Sequence, residues 1–198
     1  MQMFFFRRGA MQQIKICYLF LHADGSMSAT EKAHFNEILS KKNLLGSEME
    51  EFNSFRSEVS QKLSTGSAQA VISEVEKVLG EKGGLSLFSG TLDRHKTKQA
   101  ETIWTLINLG YADDEYSQEE KKVVDYLVGR WGMDPNLIAE LNDTDDTILA
   151  LTIQKNWVQT TSKTQEEIDK ITREIERDIS TLFSNVEITI SEADIEEE

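Results

Sequence analysis

The sequence predicts an all-α protein, a compact helical bundle of about eight or nine helices in two pseudo-symmetric halves. Three observations carry that expectation. Apolar residues recur at steps of three or four along nearly the whole chain. The 198 residues contain a single Pro, which inside a helix would remove a donor and clash with the preceding turn. An acidic turn is written twice: His22-Ala23-Asp24-Gly25-Ser26-Met27-Ser28-Ala29-Thr30-Glu31-Lys32 returns 89 positions later, from Asp24 to Asp113, as Tyr111-Ala112-Asp113-Asp114-Glu115-Tyr116-Ser117-Gln118-Glu119-Glu120-Lys121. Ala, Asp, Ser, Glu and Lys coincide without a gap.

Residues 3–23 read as a first helix, with Phe6, Ala10, Ile14, Cys17 and Leu21 on one stripe. After Asp24-Gly25, Ser28 opens a second helix through about Leu45, with Phe35, Ile38 and Leu39 inward. Gly46-Ser47 starts a third, whose face is Met49, Phe52, Phe55, Val59 and Leu63. Ser67 caps a fourth, carrying Val71, Val75, Val78 and Leu79. The Gly-rich stretch 80–92 reads as a loop and hinge between the halves.

Thr91 or Asp93 is expected to begin the next long helix, with Ala100, Ile103, Trp104, Ile107 and Leu109 as its stripe. Ser117 starts another, carrying Val123, Val124, Leu127 and Trp131, and Gly132 stops it. Asp134-Pro135 suits a helix start and opens a short helix with Leu137, Ile138 and Leu141 inward; Asp143 or Thr144 would cap a separate one bearing Ile148, Leu151 and Trp157. Met49 and Phe52 fall on Ile138 and Leu141 at the same offset as the acidic turns, which extends the repeat. Trp104, Trp131 and Trp157 all read as core. Residues 162–184 form a helix whose seam is Ile168, Ile171, Ile175, Ile179 and Leu182, expected to lie across the bundle. Val186, Ile188 and Ile190 alternate as in a short strand, and Glu196-Glu197-Glu198 reads as a disordered charge run. The expected organisation is a single domain over residues 1–184, with halves 3–80 and 93–160, a C-terminal helix 162–184 and an acidic tail 185–198.

The formal net charge of −14 argues against nucleic acid, which needs clustered Lys and Arg, and against an anionic membrane surface. It favours cationic partners and divalent ions. No apolar run reaches the ~20 residues needed to span a bilayer, so no direct membrane insertion is expected. Cys17, the only cysteine, fits a reducing compartment, hence the cytoplasm; it reads as a buried small hydrophobe rather than a nucleophile. His34 completes a Glu-x-x-His step with Glu31, but a carboxylate-bridged di-iron bundle needs a second step, and Val123 occupies the matching position. Nucleophile-elbow, P-loop and His-Glu-x-x-His motifs are absent, so no catalytic residue is expected and the chain reads as non-enzymatic.

The acidic turns have two readings. Ser28 with Glu31, and Ser117 with Glu120, are each S-x-x-E at a helix start, the signature of a capping box. That accounts for the Ser and the Glu as punctuation but not for the Asp four residues before each Ser. The second reading takes Asp24, Glu31, Asp113 and Glu120 as hard oxygen donors suited to Ca²⁺ or Mg²⁺, converging if the halves pack about a pseudo-dyad. An EF-hand is excluded, because Val124 stands where its twelfth-position Glu belongs.

The stretches LFLHADGSMSATEK and, more weakly, INLGYADDEYSQEEK resemble the helix–helix corner of the TerB-like domain of tellurite-resistance proteins, also found beside DnaJ-type co-chaperones. The resemblance extends over residues 10–142. It implies an all-helical, internally pseudo-symmetric fold and acidic residues proposed to chelate metal, here Asp24, Glu31, Asp113 and Glu120. Asp114 departs from the pattern's Gly. The expected function is a non-enzymatic cytosolic module that binds divalent metal and acts with protein partners in a stress or tellurite-resistance assembly. The alternative is a metal-independent, co-chaperone-like adaptor that uses an acidic or apolar helix face.

Overall fold

The computed structural model describes residues 2–63, 66–80, 92, 95–113 and 115–192, with the backbone alone for residues 2–8. Among the described residues it contains eight α-helices and no strand. Contacts divide the chain into two units, residues 1–133 and 134–198. The first holds α1 (Gln2–Phe20), α2 (Ala29–Lys41), α3 (Gly46–Lys62), α4 (Ala68–Gly80), α5 (Lys96–Gly110) and α6 (Gln118–Trp131); the second holds α7 (Pro135–Val158) and α8 (Gln165–Glu192). The boundary at Met133 falls inside the expected second half 93–160.

The first unit is built on α1. Every residue from Gln13 to Leu21 is buried, the mark of a helix enclosed on all sides, and α1 packs on α2, α3, α4 and α5. Its polar side chains therefore need partners. Lys15 Nζ reaches Glu51 Oε1 at 2.8 Å and lies 5.2 Å above the Phe55 ring. Tyr18 and Ser60 share a hydroxyl hydrogen bond of 2.8 Å, and Gln12 Nε2 donates to the Val78 carbonyl at 3.2 Å. Burial pushes the Cys17 thiol up to about 12, which leaves it protonated and unreactive. Tyr18, Phe35 and Phe52 stack with centroids 5.7 to 5.9 Å apart and pin α1, α2 and α3 together.

The repeat is visible backbone to backbone. Ala23 N–H donates to Phe20 O at 2.9 Å, and Ala112 N–H donates to Leu109 O at 3.2 Å. The copies differ where side chains are exchanged: copy one has Leu21 and Met27, copy two Gly110 and Tyr116. The Tyr116 ring occupies the space beside Gly110, so a Cβ there would stand 2.5 Å from a ring carbon. α6 stops at Gly132 with φ 57°, and Lys96 Nζ donates to the freed Trp131 carbonyl at 2.9 Å.

Three local expectations need correction. Residues 135–158 form one helix rather than two: Asp143 and Thr144 are capping residue types, but no Gly or Pro follows Pro135 to interrupt the ladder, and Thr147 Oγ1 donates to Asp143 O at 2.8 Å inside the helix. The strand expected at 186–190 is the end of α8. Leu182, Val186 and Ile190 lie at steps of four, Val186 and Ile190 are buried, and Ile188 points outward at 56% exposure. Trp157 is not core; it is 62% exposed. Thr91, Asp93 and the expected hinge over 81–91 lie outside the described residues, as do 193–198.

Within the second unit α7 and α8 run antiparallel. Lys155 Nζ meets Glu176 at 3.5 Å, Gln159 Nε2 donates to Thr172 Oγ1 at 3.0 Å, and Thr189 Oγ1 donates to Glu140 at 3.2 Å. The α8 seam is inward at Ile168 and Ile175, both buried.

Candidate functional site

Both acidic corners are assembled by short-range hydrogen bonds. Ser28 Oγ accepts the Glu31 N–H at 3.0 Å, and Glu31 Oε2 accepts the Ser28 N–H at 2.7 Å. Ser117 Oγ accepts the Glu120 N–H at 3.2 Å, and Glu120 Oε2 accepts the Ser117 N–H at 2.8 Å. These are the two expected capping boxes. Each uses Oε2 and leaves Oε1 of its Glu outside the box.

The Asp that heads each copy has a local role after all. Asp24 Oδ1 accepts the Ser26 N–H at 2.8 Å and its Oδ2 accepts Ser26 Oγ–H at 3.1 Å. Asp113 Oδ1 accepts the Glu115 N–H at 3.4 Å. Both are Asx turns, a backbone turn completed by a side chain. Asp24 and Asp113 are exposed; Gly25, with φ 85°, supplies the left-handed step in copy one, and Asp114 in copy two lies outside the described residues.

Glu31 and Glu120 are different. They are 4% and 3% exposed. Burial raises the pKa of Glu31, and the Asp113 and Asp24 charges push it the same way, against the lowering Ser28 hydrogen bonds. Burial pushes Glu120 up to about 7, against the Ser117 hydrogen bonds, and the Glu31 and Asp24 charges add to the rise. Among the described residues, no group of three or more His, Cys, Asp or Glu side chains is arranged to hold a metal ion.

Three features near the corners were not legible from the sequence as site elements. Glu119 Oε2 accepts the Ala68 N–H at 3.2 Å while its other oxygen pairs with Lys122, so α6 caps the start of α4 across 51 residues. Gly66 lies against the backbone of Asp24 and Gly25. The His22 ring meets Tyr18 edge-on at 5.0 Å, and its buried Nε2 has no hydrogen-bond partner among the described residues; burial, then Lys32, lowers its pKa and keeps it neutral. Long-range packing makes the first two contacts, whereas His22 and Tyr18 are four residues apart. Glu119 had a signal as an acidic residue in the first helical turn, but its target had none.

Residues 46–143 match the family model described as tellurite resistance protein TerB. That stretch of the chain is TerB-like. The matched span runs from α3 into α7, takes in Asp113 and Glu120, and leaves Asp24 and Glu31 outside. The TerB family is in general non-catalytic. No curated protein and no solved structure matches the chain. Among the described residues, no helix is long and apolar enough to cross a membrane.

Proposed function

We propose that the chain is a non-enzymatic TerB-like module whose two acidic corners take up a divalent cation, Ca²⁺ or Mg²⁺, within a stress or tellurite-resistance assembly in the cytoplasm. The observation that supports this reading is a pair of buried carboxylates: burial raises both Glu31 and Glu120, and charges of the other copy add to it, Asp113 on Glu31 and Glu31 with Asp24 on Glu120. Such a cluster is short of positive charge, and a hard cation supplies it. The donor chemistry fits, since Asp and Glu oxygens are the ligands these ions select. The described side chains do not already stand as a three-ligand set. Glu31 and Glu120 would contribute their Oε1 atoms without losing the capping boxes, whereas Asp24 would have to leave Ser26. A bound cation would neutralise the corner and hold the α1–α2 and α5–α6 pairs together, so that the module presents one fixed surface to its protein partner.

Calorimetric titration with Ca²⁺, Mg²⁺ and Mn²⁺ tests the reading. Heat of binding is expected for the natural chain and its loss for Asp24→Asn combined with Asp113→Asn, because Asn keeps the Asx turn and removes the charge. No heat with any of the three ions, or undiminished heat in the double variant, overturns it.

A further inference from the structure

The α7 helix carries a second pattern. Asp143, Asp146, Ala150, Ile153 and Trp157 follow one another at steps of 3, 4, 3 and 4, which places them on one stripe of a helix. All five are exposed; Ile153 is 55% and Trp157 62% exposed. The stripe is sorted: its N-terminal end is acidic, its C-terminal end apolar. Asp146 and Ile153 are seven residues apart, about 10 Å along the axis. The acidic end borders an open groove of about 410 Å³, lined among others by Glu140, Asp143, Thr147 and Leu182. Isolated exposed apolar residues are ordinary, but a Trp and an Ile one turn apart in line with two carboxylates form a two-part surface.

We propose that this stripe docks a cationic amphipathic helix of a partner protein, with an aliphatic or aromatic anchor seated on Ile153 and Trp157 and Lys or Arg side chains facing Asp143, Asp146 and the groove beside Glu140. Charge complementarity selects the occupant: the exposed carboxylates and the net charge of −14 favour a basic segment and disfavour a second copy of this acidic chain. An extended helix face is read by a helix through anchors at i and i+4, and Trp is the residue most often at the energetic centre of such contacts. The surface uses none of the four corner carboxylates.

The test uses the full chain in the presence of chelator, so that it does not depend on metal. Two labelled helical peptides of about 18 residues, long enough to hold a helix on binding, share Leu anchors at i and i+4; one carries three Lys about two turns away and the other three Glu. Fluorescence anisotropy is expected to show binding of the Lys peptide alone, weakened as salt is raised. Trp157→Ala is expected to weaken it at least tenfold, and Asp143→Asn with Asp146→Asn by about threefold to tenfold; circular dichroism checks that each variant keeps its helices. Equal binding of the Glu peptide, unchanged binding by Trp157→Ala, or no binding at millimolar peptide overturns the proposal. So does sedimentation showing a dimer that Trp157→Ala dissociates, which would make a second copy the occupant.

Discussion

Gly66 and Gly25 meet backbone to backbone: a Cβ on Gly66 would stand 2.2 Å from the Gly25 nitrogen and 2.5 Å from the Asp24 carbonyl carbon. Gly66 also sits at φ 58°. Gly66, just before α4, is thus laid directly on the first acidic corner, and only a residue without a side chain permits it.

Gly66→Ala is therefore expected to be destabilising. The left-handed backbone alone costs about 1–2 kcal/mol, and displacing backbone adds to it. Gly129→Ala is the control, because Gly129 lies within α6 with nothing near its Cβ direction; it is expected to stabilise by roughly 0.5–1 kcal/mol. Urea denaturation of the two variants, measured side by side, checks both signs. A neutral Gly66→Ala would show that the loop does not rest on the corner.

Gly110 and Tyr116 make the same argument within the repeat. Gly110→Ala drives a Cβ to 2.5 Å from the Tyr116 ring and is expected to destabilise by about 1–3 kcal/mol. Copy one accommodates Leu21 opposite Met27 at the matching positions, so Tyr116→Met is expected to rescue Gly110→Ala. A double-mutant cycle followed by thermal denaturation measures this coupling; strict additivity would refute the exchange.

What the sequence disclosed and what it hid divide along range. The pairs Ser28–Glu31 and Ser117–Glu120 were legible because a capping box is closed within three residues. The Asx turns at Asp24 and Asp113 are equally local, yet their purpose was missed because the same carboxylates are also good cation ligands. The α8 terminus is ambiguous in sequence because Val186, Ile188 and Ile190 satisfy a period of two while Leu182, Val186 and Ile190 satisfy a step of four, and a short window does not choose between them. The 3.6 period groups Trp157 with core residues because it tells which residues share a face and not which face packs. The reach of Glu119 to Ala68 and the seat of Gly66 on Gly25 depend on contacts 40 or more residues apart, and no local pattern encodes them.

The buried glutamates set a pH dependence whose sign is fixed. Both folded pKa values lie above the ordinary value of 4.5, Glu120 at about 7. A raised carboxyl contributes stability that is complete below 4.5 and is lost as pH rises toward the folded value. The contribution of Glu120 is therefore expected to fall between about pH 4.5 and pH 7. Glu120→Gln, which can still accept the Ser117 N–H, is expected to raise the melting temperature at pH 8 and to leave it nearly unchanged at pH 4.5. If a cation occupies the corner, it competes with the same proton, so Ca²⁺ or Mg²⁺ affinity should rise across pH 6–8. Melting curves with and without Mg²⁺ at both pH values separate the two effects.

Asp145 offers a parallel case away from the four corner carboxylates. It lies within α7 at 3% exposure, and burial, then the charge of Asp146, pushes its carboxyl up to about 7 from 3.8. Ionising a buried carboxylate is costly when no cation faces it, and the charge effect resolved on Asp145 is the repulsion of Asp146. By the same sign, its contribution to stability is complete below about pH 4 and is lost as pH rises toward 7. Asp145→Asn keeps the shape, stays neutral at every pH, and is expected to stabilise the second unit at pH 8 with little effect at pH 4. The protection of α7 amides against hydrogen exchange, compared at pH-corrected intrinsic rates, reads this out locally. Reduced protection in Asp145→Asn at pH 8 would mean that the ionised carboxylate is itself held by a partner, and that its burial stabilises the helix rather than straining it.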